Sequence, residues 1–302
     1  MTPKIIRTIA VLRKEIAAFR MSDPSNSSVG FVPTMGYLHE GHASLLRRSA
    51  SDNGLTVLSI FVNPIQFGPG EDLDKYPRNE TRDIQVAAEA GADIVFLPEV
   101  KEMYPRQRVT NVTVTDVTER LCGASRPGHF DGVATVVTKL FNIVQPNRAY
   151  FGMKDAQQIA VISNMVQDLN IPVEIIPCPI VREEDGLALS SRNVYLTSEE
   201  RKQALVLSRS LSHVADWMQE GITAIELVQR LKAEINGVSL ADIDYAEVLT
   251  YPDLSPTDTN RPLIKVEKEL LIAVAVRFGK TRLIDNRLLN PAEVGAEVCF
   301  AK

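Results

Sequence analysis

Short apolar segments alternate with amphipathic segments along the first half of the chain. Apolar residues dominate 29–32, 55–62, 94–97, 149–151 and 173–180. Strands of this length that are apolar on both faces and alternate with helices are typical of a parallel sheet covered on both sides. The pattern therefore predicts an α/β fold, with a Rossmann-like parallel sheet and helices on both faces.

The segments between these strands predict helices by their spacing and their ends. An amphipathic first helix carries Ile9, Leu12, Ile16 and Phe19 at helical spacing. Further helices are expected over 41–50, 80–90, 131–144 and 155–169, and 109–114 is a candidate for one more strand. Because ligands of such sheets lie beyond the carboxyl ends of the strands, we expect the loops after the first, second, fourth and fifth of these apolar strands to converge on one site.

The pattern changes near residue 181. Capping-box sequences at 197–200 and 223–226 open two helices, which are expected to end near 219 and 236. The strand-like segments that follow, without helices between them, are 244–250, 270–278 and 282–285. We therefore expect two domains, a Rossmann-like domain over residues 1–180 and a smaller α+β domain with an antiparallel sheet over residues 181–302.

Composition and charge narrow the function classes. The chain has 302 residues, 45% hydrophobic and 24% charged, which is ordinary for a soluble globular protein. A net charge of −5 provides no broad basic face and argues against nucleic-acid binding. The longest apolar run, 270–276, is too short for the roughly 20 residues of a membrane helix. Cys122, Cys178 and Cys299 form no CxxC pair, which argues against a zinc knuckle or a disulfide framework and favours a reducing compartment.

Three short motifs resemble known sites but lack part of the required pattern. Gly279-Lys280-Thr281 has Val274 where a phosphate loop needs its first glycine, and Gly68-Pro69-Gly70 lacks the third glycine of a dinucleotide fingerprint. His39 and His42 are three residues apart, not four as in HExxH, and no further zinc ligand is obviously placed beside them. None of the three motifs supports a site of its named kind.

Residues 35–42, Met-Gly-Tyr-Leu-His-Glu-Gly-His, carry the strongest chemical signal. They follow a predicted strand and open a predicted helix, whose free N–H groups and positive dipole end suit phosphate binding. Gly36 and Gly41 let the backbone approach a ligand closely. His39 and His42 lie one turn apart, so both imidazoles can donate hydrogen bonds to phosphate oxygens. A loop with two surface histidines is the alternative that these residues alone leave open.

This segment resembles the HxGH signature of the nucleotidyltransferase superfamily, and further segments narrow the resemblance to the pantoate–β-alanine ligase family. The matching segments occur in family order: FVPTMG at 31–36, SIFVNPIQFG at 59–68, DKYPR at 74–78, RPGHFDGV at 126–133, FGMKDAQQ at 151–158 and DGLALSSRN at 185–193. Together they span most of residues 29–197, and the rest has the length expected of the family's smaller C-terminal domain.

The resemblance implies an enzyme that condenses (R)-pantoate with β-alanine to give pantothenate. ATP and pantoate would form pantoyl adenylate and pyrophosphate, and attack by β-alanine would then release AMP. In the family Mg²⁺ assists, and the enzyme is cytoplasmic and usually a homodimer. Neither a nucleic acid nor a membrane is an expected partner.

The resemblance also implies which residues are catalytic. His39 and His42 are expected on the ATP phosphates, with His42 donating a proton to the leaving group. Lys154 is expected to bridge the α-phosphate and the incoming carboxylate, and Arg192 to clamp the β- and γ-phosphates from a Ser-Ser-Arg-Asn loop at the domain junction. The smaller domain would act as a lid that keeps water from the adenylate. The full ATP site is expected to comprise Met35, Gly36, Tyr37, Leu38, His39, Glu40, Gly41, His42, Gly152, Met153, Lys154, Asp155, Val181, Leu189, Ser190, Ser191 and Arg192.

Pantoate is small and branched, and it carries two hydroxyls and a carboxylate. Gln66 and Gln158 offer donor and acceptor atoms for the hydroxyls, although a glutamine on its own is usually a surface residue. Pro33, Met35 and Phe61 are candidates for an apolar wall. Further candidates for pantoate or β-alanine are Asn63, Tyr76 and Arg126, and Asp83 is a candidate metal ligand.

Two positions depart from the family pattern. Met153 stands where glutamate is common and Leu189 where methionine is common, which bears on nucleotide affinity more than on reaction type.

Two other functions stay open. The first alternative is another adenylate-forming or nucleotidyl-transferring enzyme, such as a cofactor adenylyltransferase or a tRNA synthetase fragment. The second is a non-catalytic nucleotide-binding module, against which the joint presence of His39, His42 and Lys154 with Arg192 speaks.

Overall fold

A computed structural model describes residues 2–22 and 24–296 of the chain, so Cys299 lies outside the described residues. The strands are β1 (Lys4–Ile6), β2 (Val29–Thr34), β3 (Leu55–Ile60), β4 (Ile94–Phe96), β5 (Arg148–Gly152), β6 (Glu174–Cys178), β7 (Ala241–Thr250), β8 (Leu270–Phe278) and β9 (Thr281–Leu289). The α-helices are α1 (Ile9–Ser22), α2 (Glu40–Asp52), α3 (Glu80–Glu89), α4 (Val100–Met103), α5 (Leu121–Ser125), α6 (His129–Val144), α7 (Ala156–Asp168), α8 (Ser198–Ala204), α9 (Val206–Ser212), α10 (Val214–Gln219), α11 (Ala224–Ile235) and α12 (Pro291–Ala296). Short 3-10 helices span Pro24–Asn26, Pro64–Gln66, Met153–Asp155, Ser191–Tyr195 and Leu263–Lys265.

The first six strands form one parallel sheet in the order β1-β4-β3-β2-β5-β6. From β2 the chain moves to β3 and β4 on one side and later returns to β5 on the other side of β2. The strand order therefore reverses between β2 and β5, and such a reversal leaves a crevice for a ligand at the carboxyl ends of the strands. The predicted α/β fold class is confirmed.

Helices cover both faces of this sheet because β2 is apolar on both of its sides. Phe31 and Val32 are both fully buried. The Phe31 ring meets Phe141 of α6 edge-on at 6.4 Å between ring centres, whereas Val32 packs in a cluster with Leu46 of α2 and Ala87 of α3. Burying each large apolar side chain contributes roughly 1.5–3 kcal/mol. Both helical layers therefore stabilise β2, the strand that precedes His39 and His42.

The second sheet is antiparallel, with β8 between β7 and β9, as the sequence predicts. The single helix predicted from 197 to 219 is wrong, because three helices, α8, α9 and α10, occupy this segment. The interruptions fall at Leu205 and His213, which keep right-handed helical dihedral angles. The His213 N–H donates to the Ser210 carbonyl three residues back, so the helix tightens locally at this point.

The strand considered for 109–114 is not formed, and one strand is missed. Val109 is 85% exposed, and the Val112 N–H donates to Thr135 Oγ1 of α6 at 2.9 Å. A helix side chain thus satisfies the main-chain donor that a strand partner would otherwise take. The missed strand, β1, has only three residues, which is too short for a recognisable apolar alternation.

The chain divides into two compact units. One contains the described residues up to Thr118 together with Arg126–Val181, and the other contains Glu119–Ser125 together with the described residues from Arg182 onward. The sequence pattern does not predict that 119–125, which includes α5, belongs to the second unit. No helix among the described residues is long and apolar enough to cross a membrane.

Candidate active site

The loop after β2 is shaped by a glycine and by a buried carboxylate. Gly36 and Tyr37 both adopt left-handed conformations, with φ of 86° and 51°. A Cβ at Gly36 would lie 2.8 Å from Ile60 Cγ2, so both the backbone angle and the space require glycine. Asp83 of α3 accepts the Tyr37 N–H at 2.9 Å and the Leu38 N–H at 2.6 Å. Helix α3 therefore fixes the loop that leads into the histidine pair.

These contacts bear on the proposal that Asp83 is a metal ligand. Its side chain is buried, and both carboxylate oxygens accept main-chain hydrogen bonds. Burial raises the pKa of Asp83, and the two N–H donors partly offset this effect. The described residues contain no group of three or more histidine, cysteine, aspartate or glutamate side chains placed to hold a metal. The contacts give Asp83 a role in shaping the loop, and we assign it no metal.

Main-chain donors set the tautomers of the two histidines. His39 is the N-cap of α2, and its Nδ1 accepts the Gly41 N–H at 3.2 Å. His42 Nδ1 accepts the His39 N–H at 3.3 Å, and the two ring centres lie 4.1 Å apart. Because a main-chain N–H can only donate, each Nδ1 is an acceptor, and in the neutral ring the proton sits on Nε2. Both imidazoles therefore carry an Nε2–H donor at the start of α2.

Lys154 lies close enough to His42 to affect its charge. Burial lowers the pKa of His42 well below 6.5, and the positive charges of His39 and Lys154 lower it further. Lys154 belongs to the 3-10 helix Met153–Asp155 that follows β5, the strand beside β2. The reversal of strand order thus brings the ammonium group near the histidine pair. His42 is therefore neutral at pH 7.

The loop after β3 brings together three of the residues predicted for pantoate. Asn63 and Gln66 are both buried, so Gln66 is not a surface glutamine. Asn63 Nδ2 donates to Gln66 Oε1 at 3.1 Å and to the Gly132 carbonyl at 3.1 Å. Gln66 Nε2 lies 3.0 Å from Met35 Sδ, and the Tyr104 hydroxyl donates to Asn63 Oδ1 at 2.8 Å. Tyr104 is a member of this cluster that the sequence analysis misses.

Arg126 is engaged by two further residues that the sequence analysis misses. Its guanidinium donates to both carboxylate oxygens of Glu71 at 2.7 Å, and Nη1 lies 3.0 Å from His129 Nε2. A guanidinium can only donate, so His129 Nε2 accepts and Nδ1–H donates to the Gln66 carbonyl at 2.8 Å. Burial, followed by the Arg126 charge, lowers the pKa of His129 to about 4. His129 lies inside the matched segment 126–133, which is the signal that could have identified it.

The other candidates of the first unit lie near these loops in sequence. Tyr76 and Phe61 are buried, and the Tyr76 ring meets Phe67 edge-on at 5.9 Å. Gln158 is partly buried in the first turn of α7, and Val181 is the last residue of the first unit. The candidates on the loops after β2, β3 and β5 therefore all belong to one compact unit.

The remaining candidates, Leu189, Ser190, Ser191 and Arg192, belong to the second unit. Ser190 caps the 3-10 helix Ser191–Tyr195, and its hydroxyl accepts the Arg192 N–H at 3.3 Å. Asn193 donates to Glu183 Oε1 at 3.0 Å and to the Ala188 carbonyl at 3.1 Å. These contacts fix the conformation of the Ser-Ser-Arg-Asn loop within its own unit.

Comparisons with known proteins place the chain in a family. A family model described as pantoate-beta-alanine ligase matches residues 4–288. Pantothenate synthetase of Caldicellulosiruptor saccharolyticus is 58% identical over 263 residues, which cover 86% of this chain and 90% of that protein. The crystal structure of pantothenate synthetase from Thermus thermophilus is 46% identical, with a TM-score of 0.85 and coverage of 95% of this chain and 99% of that one. A pantoate-beta-alanine ligase from Francisella tularensis, solved in complex with beta-gamma ATP and β-alanine, is 33% identical, with a TM-score of 0.76 and coverage of 96% and 100%. The chain belongs to the pantoate–β-alanine ligase family.

Proposed function

We propose that this chain is a ligase that condenses (R)-pantoate with β-alanine at the expense of ATP, through a pantoyl-adenylate intermediate. The observation that carries the proposal is the meeting of two kinds of group at the reversal of strand order. The histidine pair and Lys154 suit a polyphosphate, and the cluster of the buried Asn63 and Gln66 with the partly buried Met35 suits a small hydroxy acid. Membership of the family argues against the two alternative functions.

In the first step, a carboxylate oxygen of pantoate attacks the α-phosphorus of ATP. The bond from that phosphorus to the bridging oxygen breaks, and pyrophosphate leaves with the electron pair. Lys154 and the Nε2–H groups of His39 and His42 stabilise the negative charge that grows on the phosphate oxygens. Because Nδ1 of His42 already accepts the His39 N–H, the ring stays neutral and its Nε2–H donates a hydrogen bond, not a proton, to the leaving pyrophosphate.

In the second step, the amine of β-alanine attacks the carboxyl carbon of pantoyl adenylate. A carbon–nitrogen bond forms, the bond between that carbon and the phosphate oxygen breaks, and AMP leaves with the electron pair. The nitrogen loses a proton, to which we assign no residue of the chain. In this proposal, Gln66, Gln158, Asn63, Tyr76 and Arg126 bind or position the two small substrates.

Several parts of the proposal rest on the family resemblance alone. They are the binding of the β- and γ-phosphates by Ser190, Ser191 and Arg192, the role of the second unit as a lid, a homodimer and a cytoplasmic location. We propose Mg²⁺ only as an ion that accompanies the ATP phosphates. The described residues contain no group of side chains placed to hold this ion. We therefore assign Mg²⁺ no step of the reaction.

The decisive experiment is mass detection of pantothenate from ATP, pantoate and β-alanine, with each substrate omitted in turn. We expect pantothenate only when all three are present, with AMP and pyrophosphate as the other products. We also expect ATP and pantoate alone to release pyrophosphate. Release of ADP, or turnover that does not depend on pantoate, would contradict the proposal.

A further inference from the structure

The orientation of the Asn63 side-chain amide is fixed by a main-chain carbonyl. The Gly132 carbonyl oxygen, 3.1 Å from Asn63 Nδ2, can only accept a hydrogen bond, so the amide nitrogen must face it. Asn63 Oδ1 therefore points the other way and accepts from the Tyr104 hydroxyl at 2.8 Å. Burial raises the pKa of Tyr104 to about 12, so this hydroxyl stays protonated and can donate.

The fixed amide of Asn63 in turn fixes the amide of Gln66. Asn63 Nδ2 lies 3.1 Å from Gln66 Oε1, and two NH₂ groups cannot be hydrogen-bonded partners. Gln66 must therefore direct its oxygen towards Asn63 and its nitrogen to the other side, where Nε2 is 3.0 Å from Met35 Sδ. A thioether is a weak acceptor, so an oxygen of a bound substrate would be a better partner for this N–H. The buried chain of hydrogen bonds makes Gln66 a donor on the side of Met35.

Tyr104 is itself held at the end of this chain. Its main-chain N–H caps α4 by donating to the Val100 carbonyl at 2.7 Å. The Phe61 ring lies 6.1 Å from the Tyr104 ring, and the Lys139 ammonium lies 5.4 Å from its centre. The hydroxyl is therefore presented to Asn63 from a fixed ring.

We propose that Tyr104 is a positioning residue which, through Asn63, holds Gln66 as a hydrogen-bond donor to an oxygen of pantoate. The inference rests on the proposed function and deepens it, because it assigns the direction of the hydrogen bond that selects the substrate. An acceptor oxygen on the substrate satisfies Gln66, whereas a substrate group that can only donate leaves the Gln66 N–H unpaired and is selected against.

The test compares Tyr104→Phe with the wild type, in the native background and in a Gln66→Ala background. The Gly132 carbonyl still accepts from the amide nitrogen of Asn63, but without the hydroxyl the buried Oδ1 has no donor. Asn63, and with it Gln66, is therefore held less firmly in this orientation. We expect the KM for pantoate to rise about tenfold in Tyr104→Phe, the order expected for one lost hydrogen bond, with the KM for ATP unchanged. In the Gln66→Ala background, Tyr104→Phe should cause no further rise, because Tyr104 acts through Gln66.

Tyr150→Phe is the matched control. Tyr150 is buried, its pKa is also raised to about 12, and its hydroxyl also contacts an asparagine, Asn53, at 2.7 Å. We expect this variant to keep the wild-type KM for pantoate. The same rise for Tyr104→Phe in both backgrounds would show general structural damage and overturn the inference, as would an unchanged KM for pantoate in Tyr104→Phe.

A second variant keeps the inference testable if Tyr104→Phe fails to fold. Gln66→Glu retains an oxygen that accepts from Asn63 but has no N–H on the side of Met35. We expect its KM for pantoate to rise at least as much as in Tyr104→Phe, and a near-normal KM would overturn the inference. Absence of pantothenate from the wild type would overturn the proposed function and this inference with it. Wild-type turnover with an unaffected Tyr104→Phe variant would overturn this inference alone.

Discussion

The three histidines near the candidate site differ in which ring nitrogen carries the proton. A main-chain N–H occupies Nδ1 of His39 and of His42, so the proton of each neutral ring sits on Nε2. The Arg126 guanidinium occupies Nε2 of His129, so the proton sits on Nδ1 and bonds to the Gln66 carbonyl. One residue type thus presents an Nε2–H donor to the proposed phosphate site in one place and supports the backbone in another, depending on a single fixed neighbour.

The tautomer of His42 predicts different results for two nearly isosteric substitutions. His42→Asn keeps an oxygen near the Nδ1 position, which caps the His39 N–H, but it lacks a donor at the Nε2 position. We expect it to lower adenylate formation by about 10²–10³-fold, the order seen when one charge-stabilising donor is lost. His42→Gln places an amide N–H near the Nε2 position and should lose less. Pyrophosphate release from ATP and pantoate measures both variants, and equal activities near that of the wild type would contradict the assignment.

The lowered pKa of His129 predicts a pH-dependent loss of stability. The unfolded chain takes up this proton near pH 6.5, whereas the folded protein takes it up only near pH 4. The folded state is therefore destabilised as the pH falls from about 6.5 to about 4, and the loss is complete below that range. Between pH 7.5 and pH 4.5, wild-type stability should fall by about 2 kcal/mol more than that of His129→Gln, which cannot titrate. Urea unfolding at the two pH values measures this difference, and parallel losses would contradict it.

The spacing of His39 and His42 after an apolar strand predicted that the two rings lie together at the start of a helix, and their ring centres are 4.1 Å apart at the start of α2. The supports of Gln66 could not be predicted in the same way, because His129 lies 63 residues away from Gln66 in sequence and Tyr104 lies 41 residues away from Asn63. A pattern of residue types does not contain the distances between side chains that determine which group donates a hydrogen bond to which acceptor. These contacts depend on how α4 and α6 pack around the loop after β3.

At the scale of elements, burial on both faces made the strands of the parallel sheet predictable. The family and the fold class predicted from the sequence are both confirmed. Segment 109–114 has apolar residues at strand-like spacing, but Val109 is exposed and Thr135 of α6 takes the Val112 N–H. The order β1-β4-β3-β2-β5-β6 sets the position of the site, and the apolar pattern alone does not determine this order.

The close approach of α6 to the loop after β3 predicts the effect of adding one methyl group. A Cβ at Gly132 would lie 2.5 Å from the Ile65 carbonyl oxygen and 2.5 Å from Gln66 Cα, which are backbone atoms that cannot yield easily. We expect Gly132→Ala to lower the free energy of unfolding by about 1–3 kcal/mol, despite the better helix propensity of alanine, and to raise the KM for pantoate.

Gly68→Ala, in the loop that carries Gln66, is the control for this substitution. A Cβ at Gly68 would meet only the Glu71 side chain, at 3.8 Å or more, which is an ordinary contact. The free energy of unfolding of the Gly68→Ala variant should stay within about 0.5 kcal/mol of the wild-type value or increase slightly. Urea unfolding compares the two variants, and similar losses for both would contradict the steric explanation.

At the scale of the whole molecule, the chain leaves the first unit twice. Segment 119–125 belongs to the second unit, where the Cys122 thiol lies 3.3 Å from the Tyr245 hydroxyl of β7 and Arg120 lies 3.6 Å from Glu247. Leu121 is buried. The change of pattern near residue 180 predicts a single domain boundary there, whereas the seven residues 119–125 show no change of pattern that would mark them as part of the second unit.

This arrangement predicts how the chain responds to removal of its second half. A fragment of residues 1–181 keeps segment 119–125 but lacks β7, so α5 has no surface to bury Leu121 and should open readily. Trypsin should then cleave after Arg120 about tenfold faster than in the full chain, relative to cleavage after the exposed Arg108 in the same fragment. Resistance to cleavage after Arg148 in β5 would show that the parallel sheet of the fragment is intact. Addition of the fragment 182–302 should slow cleavage after Arg120 again, whereas equal ratios in the fragment and the full chain would show that α5 is stabilised by the first unit.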